Sequence, residues 1–443
     1  MNRTRMILGL ILTYMIFAML LNSVGAVILQ VIQGFGVSKA SASTLEAFKD
    51  LPIAIASFLV ASTLPRLGYR RAMMLGLALV ALACAGMPLL QSFWATKLLY
   101  VTVGVSFALV KVSVYSSIGL LTDSERAHAG LTSTVEGWFM VGILGSAWLF
   151  AAFINPEAPG DPVWLNVYWV IAGLCVAVIL LLAGTSMDES QARDGHAVGE
   201  SFADMFRLLA RPLVIVFLAS AFLYVLMEQA INTWLPTFNR EILHLPTALS
   251  VQAAGIFAGS LALGRLGGGV LLRRLPWFWL LAACVLAMAV LVLVALPLAA
   301  NVQPRAGASW WDAPLAAYVF PLIGLFMAPI YPTINSVVLS ALPKARHAAM
   351  TGLIVVFSAL GGTTGSFITG QLFAHFDGSR AFYLLLLPMA LLLLPAGNAT
   401  STRGRWPELS SRCAAMSPSW WKAFSIRPSV MRNCSGTVAA VRS

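Results

Sequence analysis

The sequence predicts an all-α membrane protein with twelve transmembrane helices in two pseudo-symmetric six-helix bundles. Three observations predict it. Of 443 residues, 59% are hydrophobic and 10% charged, with a mean hydropathy of +0.85, whereas soluble domains carry about 25% charge. The apolar residues fall in blocks of about 20 or more, long enough to cross a hydrocarbon core of roughly 30 Å. A basic hairpin also recurs. Pro65-Arg66-Leu67-Gly68-Tyr69-Arg70-Arg71 joins two apolar runs, and Gly264-Arg265-Leu266-Gly267-Gly268-Gly269-Val270-Leu271-Leu272-Arg273-Arg274 repeats the arrangement in the second half of the chain. A repeat on that scale indicates two homologous halves.

The spans lie near 6–31, 44–64, 72–91, 96–121, 129–153 and 164–185, then 212–237, 248–271, 277–299, 315–341, 348–374 and 381–398. Residues 1–185 form the first bundle, 186–211 a polar linker and 212–398 the second bundle. The first apolar run continues to about Val31 and more spans follow, so it reads as a span and not a cleaved leader. A second echo supports the repeat: Asp123-Ser124-Glu125-Arg126-Ala127-His128 follows the fourth span and Pro343-Lys344-Ala345-Arg346-His347 follows the tenth. Residues 399–443 are polar and basic without apolar periodicity, and disorder is expected there. Two readings of that change in composition are a reading-frame change near the end of the gene and a basic tail lying on anionic lipid.

The net charge of +11 sits largely in short loops, which points to membrane topology and not to nucleic acid. Arg3, Arg5, Arg66, Arg70, Arg71, Arg126, Arg207, Arg211, Arg273, Arg274, Lys344 and Arg346 lie on one side, against Lys39, Lys97, Arg240, Arg305 and Arg380 on the other. The excess places both termini and the linker in the cytoplasm, and the chain in the cell (cytoplasmic or inner) membrane. The five cysteines form no CxxC pair, so neither a disulfide framework nor a metal site is implied. No Walker motif is present, and no cofactor is expected.

Two sixes of spans, a cytoplasmic linker and basic hairpins after the second and eighth spans resemble the major facilitator superfamily, over about residues 6–397. Where the family's hairpin has a Gly and, four positions on, an acid, this chain has Ala61 and Pro65, and Leu272 replaces the acid of the second copy. Within the superfamily the chain is most similar to the fucose and sugar permease branch, through Glu228-Gln229-Ala230-Ile231-Asn232-Thr233-Trp234-Leu235-Pro236 and Ala328-Pro329-Ile330-Tyr331-Pro332. The branch's acid in the first span is absent from Leu21-Asn22-Ser23-Val24-Gly25, and Lys111 stands in place of its acid in the fourth. The resemblance implies a two-bundle transporter, with sugar as the solute by analogy.

Ionisable groups inside spans are costly and mark function. Lys111 and Glu136 lie roughly 15 and 10 Å from the cytoplasmic ends of the fourth and fifth spans. They are expected to pair, either as a static ion pair or as a switch in which Glu136 takes a proton or Lys111 holds an anionic group. Glu228 in the seventh span and Asp50, which shares a helical face with Glu46 at the outer start of the second, complete the proton-coupling candidates. Hydroxyl-rich solutes need carboxylates, amides and aromatic faces. Asn22, Gln30, Gln33, Tyr115, Tyr224, Gln229, Asn232, Trp234, Tyr331 and Asn335 are the cavity candidates, and helix packing is the competing explanation for each. Arg66, Arg70, Arg71, Arg265 and Arg273 are assigned to topology and the cytoplasmic gate. Glycines 361, 362, 365 and 370 read as close helix packing.

The expected function is secondary active transport of a small polar solute by alternating access, with proton-coupled import favoured. Proton-driven export of amphipathic compounds and carriage of an organic anion through Lys111 are the alternatives. A membrane enzyme would need a nucleophile–base set or clustered ligands, and the histidines at 128, 196, 244, 347 and 375 lie in no such motif. A non-transporting receptor would need an output domain. The expected partners are a small-molecule solute, a proton or other coupling ion and the lipid bilayer, and a monomer suffices.

Overall fold

In the computed structural model, the residues described are 3–122, 125–185, 209, 212–271, 275, 277–300, 302–303, 309–334, 347–376 and 378–401. Among them there is no strand. The linker from 186 to 208, the second hairpin's Arg273, the candidate Asn335 and the tail from 402 lie outside the described residues.

The first half contains α1 (Arg3–Asn22), α2 (Val24–Phe35), the short α3 (Lys39–Ala42), α4 (Leu45–Leu67), α5 (Tyr69–Leu90), α6 (Phe93–Leu121), α7 (Glu125–Ala152) and α8 (Val167–Ala183). The second contains α9 (Pro212–Glu241), α10 (Thr247–Leu271), α11 (Trp277–Ala300), α12 (Ala316–Met327), α13 (His347–His375), α14 (Gly378–Tyr383) and α15 (Leu386–Ser401). Their stops are local. Gly36 at φ 63° ends α2, and Gln91 at φ 41° ends α5. Ser92 opens α6 by accepting from the Ala95 amide at 3.2 Å. At the first basic hairpin the joint is one residue, Gly68, whose φ of 85° turns α4 directly into α5.

Ten helices among the described residues are long and apolar enough to cross a membrane, counting α12 as continuing to Ile334. The two predicted spans not among them are the second and the twelfth. The second, α4, carries Glu46, Lys49 and Asp50 in its first two turns, and the twelfth is divided between α14 and α15. The first predicted span is itself broken into α1 and α2 at Ser23. Large apolar side chains such as Leu82, Leu89, Leu180 and Trp279 point outward, as lipid-facing residues must.

Residues Met1 to Leu393 form one compact unit. Within it the two halves use the same pairings. In the first half α1 packs on α7, α4 and α5 on α6, and α5 on α8. In the second, α9 packs on α13, α10 and α11 on α12, and α11 on α14. The halves meet through α4 against α13, α7 against α10, and α2 against α9.

Close approach depends on missing side chains. A Cβ at Gly142 of α7 would lie 2.7 Å from the Met15 carbonyl of α1. In the equivalent pair of the second half, a Cβ at Gly365 of α13 would strike the Leu226 backbone of α9. Gly365→Ala is therefore expected to destabilise the protein by about 1–3 kcal/mol. Thermal unfolding of the detergent-purified protein checks this, and an unchanged midpoint would contradict the packing.

Candidate functional site

Two polar walls lie inside the bundles. The first is built on a helical stripe of α6, where Phe107, Lys111 and Tyr115 follow at four-residue spacing. Opposite them α7 places Glu136 and Phe139, and α1 places Tyr14. Glu136 Oε1 accepts from the Tyr115 hydroxyl and, at 3.4 Å, from the Tyr14 hydroxyl. The Tyr14 ring stacks on Phe107 at 6.0 Å and tilts against Phe139 at 4.6 Å. Lys111 Nζ lies 5.7 Å from the Phe107 ring centre, within cation–π range.

The expected Lys111–Glu136 ion pair is not formed. The reason is register. With Tyr115 level with Glu136 on antiparallel helices, Lys111 lies one turn away, about 6 Å along the axis. The carboxylate's bonded partners are phenols.

The second wall belongs to α9, where Tyr224 and Glu228 share a face. Arg265 of α10 donates from Nη2 to Glu228 Oε1 at 3.2 Å. Arg265, assigned from sequence to the cytoplasmic gate, thus serves as counter-ion to Glu228. It sits six residues before Leu271, about 9 Å inside the end of α10. The Tyr224 and Tyr331 rings stack at 5.3 Å, and the Tyr331 hydroxyl meets Ser358 Oγ at 3.1 Å.

A small crevice at the seam between the halves is lined by Asn22, Ser23 and Gly25 on one side and Asn232, Pro236 and Gly255 on the other. It brings together two cavity candidates, Asn22 and Asn232. Further along the seam the halves are bonded to each other. Gln229 Nε2 donates to Glu46 Oε1 at 2.6 Å, and Thr233 Oγ1 donates to Glu46 Oε2 at 3.3 Å. Lys39 Nζ donates to Glu241 Oε2 at 2.7 Å and to the Phe373 carbonyl at 3.3 Å. Thr247 donates to Gln33 at 3.5 Å.

Other candidates lie elsewhere. Trp234 is fully buried and donates from Nε1 to the Ser366 carbonyl at 3.0 Å, so it is a packing residue of the second half in this conformation. Gln30 is buried, with neither side-chain polar atom bonded to a described residue. Arg70 donates to the Thr185 carbonyl and, at 3.5 Å, to those of Leu182 and Ala183, which caps the end of α8. Arg71 is exposed. Nothing is described of the Arg66 side chain. The sequence places Glu46, Lys49 and Asp50 together at the outer start of the second span, as a vestibule or gate or as a solvated helix start, whereas Tyr14 is not among its candidates. Lys49 had a visible signal: a cation between two acids, within two turns of an apolar run.

This is the architecture of a membrane transporter, with polar walls inside paired helical bundles and no clustered metal ligands among the described residues. The chain matches the Major Facilitator Superfamily over residues 7–366 and belongs to that family. It is a multi-pass membrane protein of a transporter family, not an enzyme. No curated protein sequence matches it. Among solved structures it is similar to nucleoside transporter NupG, at 13% identity and TM-score 0.69, covering 90% of this chain and 99% of that one. It is similar to a D-xylose-proton symporter, at 12% identity and TM-score 0.68, covering 89% and 97%. It is also similar to the E. coli fucose:proton symporter FucP, at 17% identity and TM-score 0.55, covering 89% and 98%.

Breaking the Arg265–Glu228 pair from one side leaves a carboxylate without its cation inside the bundle. For a fully buried pair that costs about 3–5 kcal/mol. Arg265 is 35% exposed, so the loss expected for Arg265→Leu is nearer 1–3 kcal/mol. Adding Glu228→Gln is expected to restore most of it. Thermal midpoints of the three proteins decide this, and equal losses in the single and double variants would contradict the pairing.

Proposed function

We propose that the protein moves a small polar solute across the cytoplasmic (inner) membrane by alternating access, as a proton-coupled importer, with both termini in the cytoplasm. The observation that carries this reading is the state of Glu136. Glu228 is held by Arg265 and Glu46 by Lys49. Glu136 is held by two tyrosine hydroxyls and, among the described residues, by no cation within ion-pair distance. A carboxylate accepts from such hydroxyls, and a protonated carboxyl donates to them, so either state keeps its partners. That is what a reversible proton carrier requires.

The reading places a hydroxyl-rich solute between the walls. Its hydroxyls replace those of Tyr14 and Tyr115 at Glu136 and meet the Arg265–Glu228 pair opposite, while the aromatic rings face its C–H surfaces. Three of the similar transporters are named for a nucleoside, xylose and fucose, which share a hydroxylated ring, and a sugar-like solute is the reading taken here. The seam at Glu46, Gln229, Thr233 and Lys39 is then the outer gate, closed in this conformation. Asp50 in that gate is a second proton candidate.

Uptake of labelled sugars and nucleosides into proteoliposomes, with and without an inward proton gradient, tests this. Wild type should concentrate a solute only with the gradient. Glu136→Gln should lose concentration by about tenfold or more, as expected for removal of a positioned proton carrier, while retaining solute counterflow. Equal gradient dependence in both proteins would remove Glu136 from coupling. A second reading, carriage of an organic anion, is favoured by Lys111, whose ammonium has no carboxylate within ion-pair distance among the described residues. Accumulation of an anion that Lys111→Ala abolishes, with no sugar uptake, would select it.

A further inference from the structure

The first span does not cross the bundle as one helix. At Leu21-Asn22-Ser23 the side chains turn back on the backbone: Asn22 Nδ2 donates to the Ala18 carbonyl at 2.9 Å and Ser23 Oγ to the Leu20 carbonyl at 2.7 Å. The Ser23 amide takes a short-turn bond to Leu20 at 3.3 Å. The ladder bonds that would join Leu21 and Asn22 to the amides of α2 are not made. The C-terminal end of α1, with its partial negative charge, is thus left inside the protein.

A cation fills that end. Lys49 Nζ donates to the Leu21 carbonyl at 3.3 Å and to Glu46 Oε1, and it lies 3.5 Å from Asp50 Oδ1. Three acceptors match the three donors of an ammonium. Lys49 is 4% exposed and Glu46 fully buried. The other bonds of Glu46 come from Gln229 and Thr233 across the seam. A freed carbonyl at a half-helix C-terminus beside two carboxylates is a hard oxygen ligand set, of the kind that takes a small monovalent cation in transporters with broken helices.

We infer that Lys49 is a tethered cation: its ammonium occupies a monovalent-cation site formed by the Leu21 carbonyl and the Glu46 and Asp50 carboxylates at the break in the first span. Truncating the side chain empties the site and leaves two carboxylates uncompensated, so a free alkali ion or a small alkylammonium takes the place of the ammonium. The binding claim is independent of what the protein transports. Its consequence for transport rests on the proposed function: with the site filled from within, wild-type uptake is indifferent to sodium.

The test uses the full chain purified in detergent, as wild type, Lys49→Ala, and Lys49→Ala combined with Asp50→Asn. Thermal midpoints are read by tryptophan fluorescence in choline chloride and, at equal ionic strength, in sodium, potassium or methylammonium chloride. Lys49→Ala should melt below wild type in choline and recover by several degrees, saturably, with at least one of the three small cations. Wild type should melt alike in all four salts, and the double variant should lose the response. The inference is overturned by a Lys49→Ala midpoint that ignores the cation, by a wild-type response of the same size, by a response unchanged in the double variant, or by failure of Lys49→Ala to fold in every salt. Loss of proton-coupled uptake in a separate assay would count against the proposed function and leave this result standing.

Discussion

A charge that enters the hydrocarbon region must be satisfied inside the protein, and the polar interior of this bundle follows from that constraint. The described groups meet it in different ways. Glu228 has Arg265, and Glu46 has Lys49 together with an amide and a hydroxyl from the other half. Glu136 has two phenols, and Lys111 has an aromatic face. An ion pair with fixed partners holds its helices in register. A carboxylate held by hydroxyls keeps its partners in either charge state, which is why the proposed function puts the proton on Glu136.

The same constraint ties local chain breaks to long-range structure. The break at Ser23 frees a carbonyl that would be costly in a dry interior, and Lys49 of α4 supplies its donor. That places Glu46, three residues earlier on α4, against α9 of the opposite half. One irregularity in the first span is therefore connected through a lysine to the seam between the halves. Under the proposed alternating access that seam would open. Among the described residues its hydrogen bonds are replaceable by water, but glycine-mediated contacts also cross it, Gly25 of α2 against the Thr233 backbone of α9 and Gly255 of α10 against Ala147 of α7.

The fold was largely legible in the sequence because its determinants are local. Apolar block length and the Gly68 hairpin are each read from a few neighbouring residues. Tyr115 and Glu136 were recognisable as intramembrane polar groups, but their bond depends on the register between α6 and α7, which no spacing in one strand of sequence reveals. The mistaken Lys111–Glu136 pairing has that origin. Arg265 was grouped with the arginines of its hairpin by proximity, although the length of α10 beyond it keeps it inside the bundle beside Glu228. The break at Asn22-Ser23 involves no proline, and it becomes visible only when the side chains are seen bonded to the preceding turn.

In the proposed function, solute movement carries a proton. The most direct measurement is the pH of a lightly buffered suspension of proteoliposomes when D-xylose, L-fucose or a nucleoside is added outside, with no imposed gradient. Inward solute flow should draw protons with it, giving transient external alkalinisation with at least one of these solutes, absent from protein-free vesicles. Solute entry without any pH change would contradict it.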